Sequence, residues 1–154
     1  MSYDHDLIVT ARRLARANPR RPRQANLKRA VSTAYYATFH ALARLCADLI
    51  IGVGADRSRP AWRQVYRALD HGFARNACSQ AGNLGFLADV QDFANSFVQL
   101  QEERHRADYD PDARYSRAEA QLLISNAEQA ISGLRRSRRP DLRAFSALVL
   151  LKKR

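Results

Sequence analysis

Apolar residues recur along most of the chain at steps of three and four positions, and proline or glycine interrupts this pattern at intervals. Such spacing places apolar side chains on one face of a helix, whereas a strand alternates at every second position. The pattern predicts helices over about 6–18, 23–51, 58–72, 86–107 and 116–134, with a turn-rich stretch at 73–85. We therefore expect an all-α, up-and-down bundle of four to five helices.

The second predicted helix has the longest apolar stripe. Its members follow one helical face over more than twenty residues: Leu27, Val31, Ala34, Tyr35, Thr38, Leu42, Leu45 and Leu49. Gly52 and Gly54 end this helix, and Pro19 and Pro22 separate it from the first. Ser116 and Glu119 have the spacing of a capping box, so the last long helix is expected to begin there.

A short apolar helix is predicted near the C-terminus, over about 141–151. Its apolar residues are Phe145, Leu148, Val149 and Leu151. They need a surface to pack on, which is either the open end of the bundle or a dimer partner. We predict a single domain over 1–154, with its core at about 5–135 and a basic tail at 136–154.

The formal charge of +11 is concentrated in two segments. Residues 12–29 contain eight basic side chains and no acid, and residues 135–154 contain eight against Asp141 alone. The planar guanidinium of arginine binds phosphate oxygens in pairs, so the segments suit a polyanion such as RNA. The alternative is a merely solvated surface in an arginine-rich protein, since the chain has 23 Arg to 3 Lys.

Several classes of protein are excluded by simple features. Asp4 and Asp6 stand where a signal peptide has positive charge, and the longest uncharged apolar stretch is far short of the ~20 residues that span a bilayer. Cys46 and Cys78 have no CxxC spacing. We expect a soluble, cytoplasmic protein with no disulfide, no metal and no cofactor.

A line of polar residues follows the second helix beside its apolar stripe. Arg29, Thr33, Tyr36 and His40 have i, i+4, i+7, i+11 spacing and therefore share a face. A helix that buries one face does not need this second set, which suggests a functional surface. Alternatively, Tyr36 and His40 are partly buried and form hydrogen bonds across the bundle.

The run Arg104-His105-Arg106-Ala107-Asp108-Tyr109-Asp110-Pro111 ends the fourth predicted helix. Two cations flank a histidine that titrates near neutral pH, a combination that can bind phosphate. The alternative is an ordinary helix end, where basic residues interact favourably with the helix dipole and Asp-Pro forms the turn.

Taken together, the segment from Arg29 to His40 and the run from Arg104 to Pro111 resemble the HEPN superfamily, in particular its small stand-alone prokaryotic members. The resemblance covers roughly residues 25–135. It implies a homodimer in which both motifs face a shared cleft. It also implies a metal-independent ribonuclease of toxin type, partnered by a nucleotidyltransferase-like antitoxin.

In that family an arginine binds phosphate and a histidine four to six residues later acts as acid or base. Here Tyr109 occupies that region and no histidine follows His105. If the chain is a ribonuclease, we expect Arg104 and Arg106 to hold phosphate and His105 or His40 to transfer the proton, with Tyr109 as a further catalytic candidate at the position of the family's histidine. This hypothesis places Tyr35 or Tyr36 against a base, with Arg29 and Asp108 completing the nucleic-acid surface.

Two functions are consistent with the sequence. One is an RNA- or nucleotide-directed module, including a ribonuclease. The other is a non-catalytic bundle that docks a partner protein, in which Arg104, Asp108 and Tyr109 hold helices together. An open cleft with free arginines would favour the first function, and an Arg104 enclosed against Asp108 would favour the second.

Overall fold

The computed structural model describes residues 1–153, which form seven α-helices, one 3-10 turn and no strand. The helices are α1 (Tyr3–Arg16), α2 (Gln24–Ile51), α3 (Arg59–Ala68), α4 (His71–Gln80), α5 (Ala88–Tyr109), α6 (Arg117–Arg136) and α7 (Arg139–Leu150). The 3-10 turn, Ala81–Leu84, follows α4. The predicted all-α helical bundle is confirmed.

The four long helices α1, α2, α5 and α6 run alternately up and down. The start of α6 lies at the end of α1, where Arg117 donates to the carbonyl of Pro19 (2.7 Å). The end of α6 lies at the start of α1, where Arg135 pairs with Asp4 (2.7 Å). Lys28 near the start of α2 donates to the carbonyl of Asp110 after α5 (3.2 Å), so α5 is antiparallel to α2.

The predicted helix ends at Gly52 and Ser116 are confirmed. Gly52 has a φ of 109°, which a residue with a side chain rarely adopts, and it ends α2. The Ser116 hydroxyl accepts from the Glu119 amide, and the Glu119 carboxylate accepts from the Ser116 amide. This reciprocal capping box satisfies two amides that have no partner inside the helix.

The prediction for 58–85 is wrong in its second half. The third helix ends at Ala68 rather than at Gly72, and most of the stretch predicted as turn-rich is helix α4. Asp70 explains the difference, because its carboxylate accepts from the Phe73 amide (2.8 Å) and caps a new helix. Gly72 lies inside the first turn of α4, where it interrupts nothing.

Helix α7 packs on its own bundle. Phe145 and Val149 are fully buried, and the ring of Phe145 meets Phe86 and Phe93 edge-on at 5.8 and 6.0 Å. Leu151, at the end of the same helix, is 67% exposed. The apolar face of α7 therefore packs on the bundle of its own chain, the first of the two predicted surfaces. Arg154, the last residue of the predicted basic tail, lies outside the described residues.

The basic segments begin at opposite ends of the bundle. Arg20, Arg21 and Arg23 are exposed in the α1–α2 connection, next to the start of α6. At the other end of α6, Arg138 and Arg139 are exposed at the start of α7. None of these five side chains forms an ion pair within residues 1–153. Both ends therefore present arginines that are available to an anion.

The helices of residues 1–153 include none that combines the length and apolar character needed to cross a membrane. Cys46 and Cys78 are buried free thiols.

Candidate functional site

Arg104 projects from α5 onto two aromatic rings of α2. Its guanidinium lies 5.2 Å from the ring centre of Tyr35 and 5.7 Å from that of Tyr36. The side chain is 13% exposed, and its nearest carboxylate oxygen, on Asp108, is 3.9 Å away. That carboxylate also accepts from the Ser32 hydroxyl (3.2 Å). The arginine is therefore enclosed between two helices.

One nitrogen of this arginine is left without a partner. Arg104 Nε is buried and has no hydrogen-bond acceptor within residues 1–153. The cost of burying the charge is offset by the faces of Tyr35 and Tyr36, because a desolvated cation over an aromatic ring gains about 2 kcal/mol. The cluster thus stabilises the α2–α5 contact.

His71, which no sequence pattern indicated, joins Arg104, Tyr35 and Tyr36 in what we call the Arg104 cluster. It is the first residue of α4, its Nδ1 lies 2.6 Å from the Tyr35 hydroxyl, and its ring stacks on Phe39 with centres 3.9 Å apart. Gln101 of α5 donates to its backbone carbonyl (3.2 Å). The signal that marks this position is the cap Asp70, which starts a new helix where the third helix was predicted to continue to Gly72.

Burial shifts the pKa values of Tyr35 and His71 so that each side chain favours its neutral form. It raises the pKa of Tyr35 well above the usual value, with the charge of Arg104 opposing the shift. It lowers the pKa of His71, and Arg104 lowers it further. Both side chains are therefore neutral at pH 7. A neutral imidazole beside an arginine is chemically able to accept a proton.

His40 lies on the same helix but has a different partner. Its Nδ1 is 2.6 Å from the Tyr66 hydroxyl of α3, and its ring meets Tyr3 at 4.8 Å. Burial lowers the pKa of His40, with a further lowering by His71. Hydrogen bonding across the bundle, the packing alternative for this residue, is what the structure shows.

Lowering the pH below about 6.5 is expected to reduce the free energy of unfolding through His40 and His71. Their folded pKa values lie below the ordinary 6.5, so the unfolded chain takes up these protons first as the pH falls. The stability they contribute is complete above 6.5 and is lost toward the folded pKa values. Urea unfolding between about pH 5 and 7 measures this slope.

A His40→Gln/His71→Gln variant is the control for that slope. It should flatten the curve in this interval, whatever its absolute stability. An unchanged slope in the double variant would assign the effect to other groups. The lowered pKa of Glu128 acts only below its ordinary value of 4.5 and does not overlap the interval.

Asp108 is the partner of Arg104 within the Arg104–Pro111 run, whereas His105 and Arg106 do not join Arg104. His105 is exposed and its ring lies against Tyr109, itself 67% exposed, with centres 5.0 Å apart. Arg106 is exposed and pairs with Glu103 (3.2 Å). Successive residues on a helix point about 100° apart, which separates His105 and Arg106 from their neighbour.

The start of the polar line on α2 is also separate from the cluster. Arg29 is exposed, and the Thr33 hydroxyl donates back to the Arg29 carbonyl (2.7 Å) within the helix. The predicted polar line therefore does not form one surface. Arg29 is exposed and Thr33 is bonded within its own helix, while Tyr36 contacts Arg104 and His40 contacts Tyr66.

Comparison of the chain with protein-family models, with curated proteins and with solved structures finds no match. Arg104 is enclosed near Asp108 and lies on two rings of α2, which is the arrangement expected of a residue that holds helices together, whereas Arg106 is paired only within α5. Exposed arginines that form no ion pair within residues 1–153 lie at both ends of the bundle: Arg20, Arg21 and Arg23 at one end, and Arg138 and Arg139 at the other.

Proposed function

We propose that this chain is an RNA-binding helical bundle of the HEPN type that holds the phosphate backbone with its basic ends and is not itself catalytic. The observation that carries the proposal is the contrast between Arg104, which is 13% exposed, and the exposed arginines of residues 12–29 and 135–153. Phosphate binding requires guanidinium groups that solvent and ligand can reach.

The net charge supports RNA over an uncharged ligand. At +11, the chain attracts polyanions at long range, and binding releases the counterions condensed on them. Both clusters consist mainly of arginine, which binds phosphate in two-point contacts. The homodimer and the nucleotidyltransferase-like antitoxin implied by the family resemblance remain predictions.

A ribonuclease remains the second candidate function because of one observation. His71 is neutral at pH 7 and lies with Arg104 around Tyr35, so an imidazole and a guanidinium occur together despite the missing histidine after Arg104. In such a reaction Arg104 would hold phosphate and His71 would move the proton. This assignment needs Arg104 to become accessible to RNA.

RNA affinity is expected to fall steeply with salt and to depend on both basic ends. Replacing Arg20 and Arg21, or Arg138 and Arg139, by glutamine should lower the slope of log K against log[salt] by about 2. Fluorescence anisotropy with a labelled single-stranded RNA, between about 50 and 200 mM salt, measures the slope. Arg63→Gln/Arg67→Gln, in which both residues are exposed on α3, removes the same charge elsewhere and should leave the slope nearly unchanged.

The same samples decide between binding and cleavage. In this test, mixed RNA and EDTA are incubated with the wild type and with Arg104→Ala, His71→Ala and His105→Ala. Under the proposal RNA stays intact in every lane while anisotropy reports binding. Cleavage that requires Arg104 and His71 would establish the ribonuclease instead. Absence of RNA binding by the folded wild type would refute the proposed function.

A further inference from the structure

A second aromatic cluster surrounds an open cavity between α1, α2 and α3. The cavity has a volume of about 310 Å³ and adjoins, without including, the Arg104 cluster. Its walls are formed by four aromatic or imidazole rings, two arginines and one acid: Tyr3, His40, Trp62, Tyr66, Arg44, Arg57 and Asp4. The volume suits a small planar ligand rather than a folded segment.

The rings of this cavity form a nearly continuous aromatic surface. Trp62 and Tyr66 are stacked with centres 5.1 Å apart, and Tyr66 and His40 are stacked at 5.9 Å. Tyr3 closes the other side against His40 at 4.8 Å and is itself 57% exposed. Because these rings stack on one another, a flat ligand entering here meets mainly their edges and, at Tyr3, a ring that is more than half exposed to solvent.

The cavity has one more cation than its paired acids neutralise, because Arg57 is the arginine left without a carboxylate partner in the described part of the chain. Asp4 is buried and pairs with Arg135 (2.7 Å). The neighbouring Asp48 accepts from the Trp62 indole (2.8 Å) and lies 3.6 Å from Arg44. Arg57, in contrast, lies over the Trp62 ring at 5.0 Å with no carboxylate partner within residues 1–153.

The cavity is continuous with the basic end of the bundle. Arg44 lines it and also lines an adjoining groove of about 340 Å³, which includes Arg135. Arg135 ends α6, and the exposed Arg138 and Arg139 follow directly. A strand whose phosphates lie along these arginines would therefore pass the mouth of the aromatic cavity.

We propose that this cavity binds one unpaired base of a single-stranded RNA, with Arg57 holding the adjacent phosphate. The proposal rests on the proposed function and gives its ligand class. Aromatic side chains and arginine planes that stack on splayed bases are the usual means of recognising single-stranded RNA. A base-paired duplex offers no free ring face, so it should not enter.

Trp62 is the only tryptophan of the chain, so its fluorescence reports on this cavity alone. Oligouridylate should quench the emission in a saturable titration, since a base stacked beside the indole is in direct contact with it. Inorganic polyphosphate of matched charge should bind the basic ends without comparable quenching. An RNA duplex should behave like polyphosphate.

Tyr3→Ala tests the cavity with little risk to the fold, because this side chain is more than half exposed. We expect oligouridylate affinity to fall about tenfold, the usual loss of one stacking ring, with polyphosphate affinity unchanged. Tyr3→Phe keeps the ring and should restore the affinity. Arg57→Gln should weaken oligouridylate binding and leave the contact between Tyr3 and the base intact.

The outcomes separate this proposal from the proposed function. Salt-sensitive oligouridylate binding without Trp62 quenching, and with no effect of Tyr3→Ala, would overturn the base site and leave RNA binding by the basic ends. Failure of every RNA to bind would overturn both. Quenching by an aromatic peptide but not by oligouridylate would assign the cavity to a protein partner and overturn the base site.

Discussion

Replacing Phe145 by alanine is expected to lower the free energy of unfolding by about 3–5 kcal/mol. The side chain is fully buried, and its ring packs edge-on against Phe86 and Phe93, which links α7 to the bundle. Removing it leaves a cavity that the surrounding helices fill only in part. Urea unfolding followed by circular dichroism measures the loss, with an unchanged m-value expected if the variant still unfolds in one step.

Leu151→Ala is the matched control, since this residue ends the same apolar pattern but is 67% exposed. It should change the free energy of unfolding by less than about 0.5 kcal/mol. Equal losses of unfolding free energy in the two variants would show that contacts at the end of α7, rather than those of Phe145, fix this helix to the bundle.

Replacing Arg104 by alanine is expected to cost about 2–4 kcal/mol of stability while leaving RNA affinity nearly unchanged in the folded protein. The substitution removes a largely enclosed cation from the rings of Tyr35 and Tyr36. It also leaves Asp108 with the Ser32 hydroxyl as its remaining side-chain partner. Thermal unfolding and RNA anisotropy well below the midpoint measure the two quantities.

Arg106→Ala provides the comparison, because this arginine is exposed and forms only an i,i+3 pair with Glu103. Such a pair is worth about 0.5 kcal/mol or less. Arg104→Lys keeps the charge but not the planar group, and should recover only part of the stability. Loss of RNA binding by a folded Arg104→Ala protein, at unchanged stability, would contradict the structural role.

Local chemistry explains why most helices were predictable from the sequence. The apolar stripe on α2 and the capping box at Ser116 each depend on residues within a few positions of one another, so their spacing is sufficient evidence. The end of α2 at Gly52 follows from the same reasoning, because only glycine adopts its φ without strain.

The stretch after α3 was not predictable in this way. Glycine and polar residues made 73–85 resemble turns, and the short helix α4 has only Ala74, Ala77 and Cys78 fully buried. Its stability comes from the Asp70 cap and from packing on α5 and α7, which the local sequence does not show. His71 was missed for the same reason.

The candidate site was predictable in its parts but not in its arrangement. The sequence identified Tyr35, Tyr36 and Arg104, and helical spacing placed the first two on α2. That Arg104 lies on these rings, while His105 does not, depends on how α5 is rotated against α2. Such a rotation is set by contacts between distant residues.

The direction and length of α6 set how long an RNA would have to be to reach both arginine-rich ends of the bundle. This helix of 20 residues separates the two arginine-rich ends by about 30 Å. Under the proposed RNA binding, an oligonucleotide shorter than this span would occupy one end at a time, whereas a longer one would engage the second end as an intramolecular event at high effective concentration. The apparent affinity would then rise abruptly once the strand is long enough to span both ends, so the protein would discriminate RNA strands by length rather than by sequence.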